Sequence, residues 1–145
     1  MPIPEWIRTK TKGGSLHGTR HLLRGQRLST VCEEARCPNQ HVCFSKPTAA
    51  FLILGDRCTR RCGFCSVKGG EPAAVDPDEP SRVAEAARQM RLRYVVITSV
   101  TRDDLPDGGA AHFAATVRAI RDRVCEAKVE VLTPDFMGDT DALAT

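Results

Sequence analysis

Three short apolar runs recur along the second part of the chain: Ala49-Ala50-Phe51-Leu52-Ile53-Leu54, Tyr94-Val95-Val96-Ile97-Thr98-Ser99 and Val129-Glu130-Val131-Leu132. The first is continuous and bounded by Gly55, and the second is β-branched; all three read as strands. Between them Val83, Ala87 and Met90 fall at helical spacing, which predicts an amphipathic helix over residues 79 to 91 starting at Asp78 or Ser81. Phe113, Val117, Ile120 and Val124 predict a second helix after Gly108-Gly109, and a Pro-rich connection runs from Gly69-Gly70 to Pro80. The β-α-β-α-β order implies an α/β fold with a parallel sheet and right-handed crossovers. Reactive groups in such sheets collect after the carboxyl ends of the strands. The segments after Leu54, from Thr101 to Gly109, and at Thr133-Pro134-Asp135 are therefore expected to open on one face.

The first part of the chain has less periodicity. Residues 1 to 12 read as an extended arm that Trp6 anchors by packing. Ser15 to Arg27 reads as a short helix with Ser15 as N-cap and with His17, His21, Arg24 and Leu28 near one face. Residues 139 to 145 begin a third helix.

Charge sharpens this division. The net charge of +3 hides 12 Lys/Arg against 4 Asp/Glu in residues 1 to 68, and 9 against 14 in residues 69 to 145. The basic half suits an anionic partner or the neutralisation of thiolates, and equally a solvated surface. Aromatic side chains are too few for base stacking, so nucleic acid is not expected. No run approaches the length of a membrane span, and Met1 to Glu5 carries no export or transit character, which makes a reducing cytoplasm the default.

Six of the seven cysteines fall in two triplets, and Cys125 stands apart as a packed thiol. In a chain without an export signal, close triplets favour metal over disulfides. Cys58, Cys62 and Cys65 follow the first strand at C-x3-C-x2-C spacing. Thiolates suit iron–sulfur clusters, zinc and copper(I), but a structural zinc site closes with four protein ligands and this loop offers three. A cubane cluster on three thiolates keeps one iron open to a small ligand. Cys32, Cys37 and Cys43, at C-x4-C-x5-C, fit zinc or an iron–sulfur cluster, with His41 a possible fourth ligand.

The first of these spacings, with Phe64 before the last cysteine, resembles the signature of the radical S-adenosylmethionine (SAM) superfamily. That resemblance implies that Cys58, Cys62 and Cys65 hold a [4Fe-4S] cluster whose open iron chelates SAM, that its reduced form cleaves SAM to a 5'-deoxyadenosyl radical, and that Phe64 lies near the adenine. The words Thr30-Val31-Cys32-Glu33-Glu34-Ala35-Arg36-Cys37-Pro38-Asn39, Leu54-Gly55-Asp56-Arg57-Cys58-Thr59-Arg60-Arg61-Cys62, Val96-Ile97-Thr98-Ser99-Val100-Thr101-Arg102-Asp103-Asp104-Leu105-Pro106-Asp107-Gly108-Gly109-Ala110 and Val129-Glu130-Val131-Leu132-Thr133-Pro134-Asp135-Phe136 narrow the resemblance to the lipoyl synthase family.

The family resemblance implies a sulfurtransferase that inserts sulfur at carbons 6 and 8 of a protein-bound octanoyl-lysine. It implies a second [4Fe-4S] cluster on Cys32, Cys37 and Cys43 as sulfur donor. The implied partners are octanoylated lipoyl domains of 2-oxoacid dehydrogenase E2 subunits, the glycine cleavage H protein, and a reductant such as ferredoxin or flavodoxin. The fold it implies is a partial (β/α)6 barrel truncated after about three strands, spanning residues 48 to 145, behind an N-terminal cluster-binding extension over residues 1 to 47. Asp103, Asp104 and Asp107 are candidate acceptors for the ribose or ammonium of SAM, and Gly108 and Gly109 allow close backbone approach, with helix capping and turn formation the competing roles; Asp135 has the same two readings. The family's C-terminal Arg-Ser-Ser-Tyr motif, which supplies a serine ligand to the second cluster, is absent, so the chain reads as a piece inactive alone. Gln40-His41-Val42 and Phe44 also depart from the family around the third cysteine. Another radical SAM enzyme with an auxiliary cluster, a non-catalytic iron–sulfur carrier and a zinc-stabilised module are the alternatives.

Overall fold

The computed structural model describes residues 13–45 and 48–145, so the arm containing Trp6 lies outside the described residues. Three of the strands are those the apolar runs predict: β2 (Ala50–Ile53), β5 (Tyr94–Ser99) and β6 (Lys128–Leu132). They pair in parallel, Ala50 opposite Val96 and Val96 opposite Glu130, in a sheet of order β1-β2-β5-β6. The edge strand β1 (Ser29–Thr30) runs antiparallel to β2. Two residues carry no period, and sequence alone gives no sign of it. A separate parallel ladder joins β3 (Arg57–Cys58) to β4 (Lys68–Gly69).

The crossover helices are α4 (Glu79–Gln89) and α5 (Ala110–Arg123). On α4, Val83, Ala84, Ala86 and Ala87 are buried, and on α5 Phe113, Thr116 and Ile120. Small alanines on one helix face let the two helices approach closely. One buried cluster joins these residues to Phe51, Ile53, Val95 and Ile97 of the sheet. Removing these side chains from water drives the fold. The last segment forms a 3-10 turn (Phe136–Gly138) and a short α6 (Thr140–Leu143), where a third helix is expected.

Ahead of the sheet, α1 spans Gly13–Gly25, so Ser15 lies inside the helix rather than capping it. The second cysteine triplet is spread over two short helices, α2 (Val31–Glu34) and α3 (Gln40–Ser45). Thr30 caps α2 by accepting from the Glu33 N–H at 3.2 Å, and Arg36 in a left-handed conformation (φ 52) turns the chain beyond it. α1 holds α3 through Leu23 and Phe44, both fully buried, and through the Thr19 hydroxyl, which donates to the Phe44 carbonyl at 2.9 Å. Arg82 of α4 donates to the Gln26 carbonyl at 2.9 Å and ties this unit to the sheet and its helices.

Candidate metal centre

The chain leaves β2 through two successive left-handed residues, Leu54 (φ 67) and Gly55 (φ 97), and enters β3. The β3–β4 ladder and a bond from the Gly70 N–H to the Cys58 carbonyl at 3.0 Å close the base of the loop between them. The Cys58 sulfur accepts from the Thr101 N–H at 3.3 Å and the Arg60 N–H at 3.4 Å. At the tip the Cys65 N–H bonds the Cys62 carbonyl at 3.0 Å, a turn that leaves both thiols exposed. Phe64, between them, is 94% exposed.

Three loops meet beside these thiols, as their shared position after parallel strands requires. Thr59 donates its N–H to the Thr101 carbonyl at 3.1 Å, and its hydroxyl lies 3.1 Å from Asp103 Oδ2. Arg60 spans all three loops. Its Nε and NH2 donate to Asp103, each at 2.8 Å, while NH1 and NH2 donate to Asp135 at 2.7 and 2.9 Å. Two carboxylates on one planar guanidinium use the geometry that distinguishes arginine from lysine. The Arg60 guanidinium holds Asp103 below the usual carboxylate range and, with help from the Met137 N–H, holds Asp135 down to about 2.

The remaining sequence candidates take other positions. Asp104 pairs with Arg102, through Oδ2 at 2.8 Å and Oδ1 at 2.8 Å. Asp107 caps α5, accepting from the Gly109 N–H at 2.9 Å and the Ala111 N–H at 2.8 Å. Gly108 and Gly109 are both left-handed (φ 59 and 96). A Cβ on Gly108 would sit 2.9 Å from Phe136 Cδ1, and one on Gly109 2.4 Å from Leu54 Cδ1, so the close approach they permit is to the protein's own side chains. Sequence reasoning missed the joining role of Arg60 and the buried trio Glu79, Arg102 and His112. The available signal was a histidine one residue before Phe113, at an apolar phase of its helix.

In the other triplet, Cys32 and Cys43 pack against the core and Cys37 is half-buried. Burial pushes the Cys32 thiol up; Cys43 and Cys37 push it the same way, against an N–H from Ala50.

Among the described residues no three Cys, His, Asp or Glu side chains are drawn together as a formed metal group. The donors nevertheless fit an iron–sulfur centre. All six thiols are free, and so is Cys125, which is exposed and not the packed thiol expected from sequence. Cys58 carries two N–H donors on its sulfur, an arrangement that stabilises a thiolate ligand, and Cys62 and Cys65 sit on a short exposed turn able to close around a cluster.

A family model described as the radical SAM superfamily matches residues 52–145, which takes in the end of β2, the Cys58 loop and the whole of β5 and β6. The chain belongs to the radical SAM superfamily. Within that superfamily it is similar to curated proteins named lipoyl synthase. It is 59% identical over 128 residues to one from Aquifex aeolicus, covering 88% of the chain and 46% of that protein. It is 56% identical to one from Neisseria gonorrhoeae, covering 95% and 42%, and 56% identical to one from Nitratidesulfovibrio vulgaris, covering 100% and 49%. The chain thus spans somewhat less than half the length of these relatives. Their similarity extends across both cysteine triplets, including the part outside the matched superfamily region.

Proposed function

We propose that the protein of which this chain forms part is a lipoyl synthase, inserting two sulfur atoms at carbons 6 and 8 of a protein-bound octanoyl-lysine. The observation that carries this reading is the pair of unlike thiol triplets, one on the loop after β2 and one on α2 and α3, together in a radical SAM chain. A [4Fe-4S] cluster with SAM at its open iron supplies a carbon-centred radical strong enough to abstract hydrogen from an unactivated methylene, and an auxiliary cluster supplies the sulfur.

The chain's own residues do the holding and orienting. Cys58, Cys62 and Cys65 ligate the first cluster, and Cys32, Cys37 and Cys43 the second. Arg60 holds the carboxylates of Asp103 and Asp135 in place beside the first site, where they can meet the ammonium or ribose hydroxyls of SAM. Phe64, exposed at the tip, is placed to cover the adenine. Residues 48 to 145 constitute the first β/α units of a partial (β/α)6 barrel, and residues 1 to 47 a cluster-binding extension. The setting is the cytoplasm; among the described residues no helix is long and apolar enough to cross a membrane.

The partners proposed are octanoylated lipoyl domains, the H protein and a ferredoxin- or flavodoxin-type reductant. His17, His21, Arg24 and Arg27 are exposed on and just beyond α1 and supply a basic surface for an acidic carrier. Carrier binding is expected to weaken as salt rises; salt-independent binding would remove this surface from the reading.

The decisive experiment is iron and acid-labile sulfide per chain after anaerobic reconstitution, with EPR of the reduced protein with and without SAM. About eight irons and a SAM-dependent spectrum support two cubane clusters with one open site. About four irons with the SAM response intact would mean that this chain holds the radical site alone. Zinc, or no response to SAM, would defeat the proposal.

A further inference from the structure

Several charged groups are buried where β2 gives way to the cysteine loop. Leu54, at that junction, is buried and left-handed, a conformation that a branched side chain resists. Both of its backbone polar groups are bound by side chains from distant segments. Its N–H donates to Glu79 Oε2 at 2.8 Å, and its carbonyl accepts from Arg102 NH1 at 3.2 Å. Glu79 Oε2 also lies 2.7 Å from His112 Nε2, which donates when that nitrogen carries the proton. Glu79, Arg102 and His112 are each at most 9% exposed.

We propose that Glu79, His112 and Arg102 are positioning residues for the cysteine loop, holding Leu54 in its left-handed turn and, through the Arg102 segment, seating the Thr101 N–H on the Cys58 sulfur. The route is short. Arg102 is the next residue after Thr101, whose N–H bonds the sulfur at 3.3 Å. Arg102 is itself fixed by the Asp104 carboxylate and by the Leu54 carbonyl. The helices take part as well: Glu79 opens α4, His112 lies in the first turn of α5, and Leu54 Cδ1 fills the space left by the missing Gly109 side chain.

General core stability does not call for this arrangement. Buried charged networks are often replaceable by apolar residues without loss of stability, so their value lies in the geometry they specify. A glycine at position 54 would take the turn unaided, whereas leucine needs the support and in return keys the loop to α5. The network acts on the loop with or without iron. Only its spectroscopic consequence rests on the proposed cluster.

The test compares Glu79→Gln, Glu79→Met and Arg102→Met. Glutamine keeps an acceptor for the Leu54 N–H and a polar group toward His112; methionine keeps volume and removes both. Hydrogen exchange is measured on the metal-free protein. Amides from Leu54 to Cys65 and at Thr101 are expected to exchange roughly tenfold or more faster in Glu79→Met and Arg102→Met, with the centre of α5 unchanged and Glu79→Gln close to wild type. Should Glu79→Met fail to fold, Arg102→Met gives the same comparison. In the reconstituted protein Arg102→Met is expected to lower the reduction potential of the cluster, because a lost N–H···S bond destabilises the reduced form. Unchanged loop exchange, an increase spread evenly over the whole chain, or Glu79→Met matching Glu79→Gln would overturn the proposal. A wild-type protein that takes up no iron would instead defeat the functional reading and leave the exchange result to decide this one.

Discussion

Gly109 and Arg60 are single residues on which the geometry beside the thiols depends, for opposite reasons. Gly109 matters through what it lacks: at φ 96, with Leu54 Cδ1 2.4 Å from where a Cβ would be, it cannot accept a side chain without backbone strain and displacement of the Leu54 side chain. Gly109→Ala is expected to cost on the order of 2 kcal/mol in denaturant unfolding, and a loss within error of zero would mean that Leu54 is free to shift. Arg60 matters through what it binds. Removing its guanidinium in Arg60→Gln takes away the first cause of Asp135's low pKa, which should rise from about 2 toward the ordinary 3.8. A carboxyl-carbon NMR titration reads this directly, and an Asp135 that still titrates near 2 would show that the Met137 N–H suffices. The role of Arg60 was not visible in the sequence, because arginines in a loop are usually solvated; Gly109 announced a close approach, but not that Leu54 makes it.

At the scale of elements, the pairing of α4 with α5 carries the crossovers. Ile120 of α5 is fully buried in the core cluster, and Ile120→Ala should destabilise by about 3 kcal/mol, the loss of its transfer from water plus the cavity left behind. The two helices are also joined at the surface by Glu85, which accepts from Arg88 at 2.7 Å and from Arg123 of α5 at 3.1 Å. Arg88 first, then Gln89, lowers the Glu85 pKa from 4.5 to about 2. A carboxyl whose folded pKa is depressed contributes stability above its unfolded pKa and loses it as pH falls through the folded value. Melting temperature should therefore fall more steeply between about pH 4.5 and 2 in wild type than in Glu85→Gln; parallel curves would assign the link no weight.

The elements that the sequence foretold are those with a period. α4, α5, β5 and β6 each carry several apolar residues at 3.6 or in a β-branched run, and their limits fall within about two residues of expectation. β1, β3 and β4 have two residues each, and α2 has four. Such pieces are fixed by their pairing partners, as β1 by Phe51 and Leu52 of β2 and β3 by the pairing of Arg57 with Lys68. The candidate site divides in the same way. Cysteine spacing announces the ligands because a metal constrains nearby residues, whereas Glu79, Arg102 and His112 come together from three segments with no shared pattern.

For the molecule as a whole, the sheet is unevenly covered. Among the described residues β6 pairs on one side, with β5, and Leu132 is 64% exposed in the strand. Beyond it a groove of about 260 Å³, lined in part by Val117, Val131, Phe136 and Leu143, lies open between α5 and the final turn. An edge strand with unpaired backbone groups beside apolar side chains is a template for pairing with another chain, and natural proteins rarely leave one bare. β1, the opposite edge, offers only two residues. Association should thus run through β6. The 145-residue chain is expected to bind an apolar dye and to sediment as a concentration-dependent mixture at tens of micromolar. The double variant Leu132→Lys/Leu143→Lys, whose sites are both exposed, should shift that mixture toward monomer with little change in unfolding midpoint. A wild-type chain that is strictly monomeric and dye-silent would show that β6 tolerates water, and an associating chain unaffected by the two lysines would move the contact to another face.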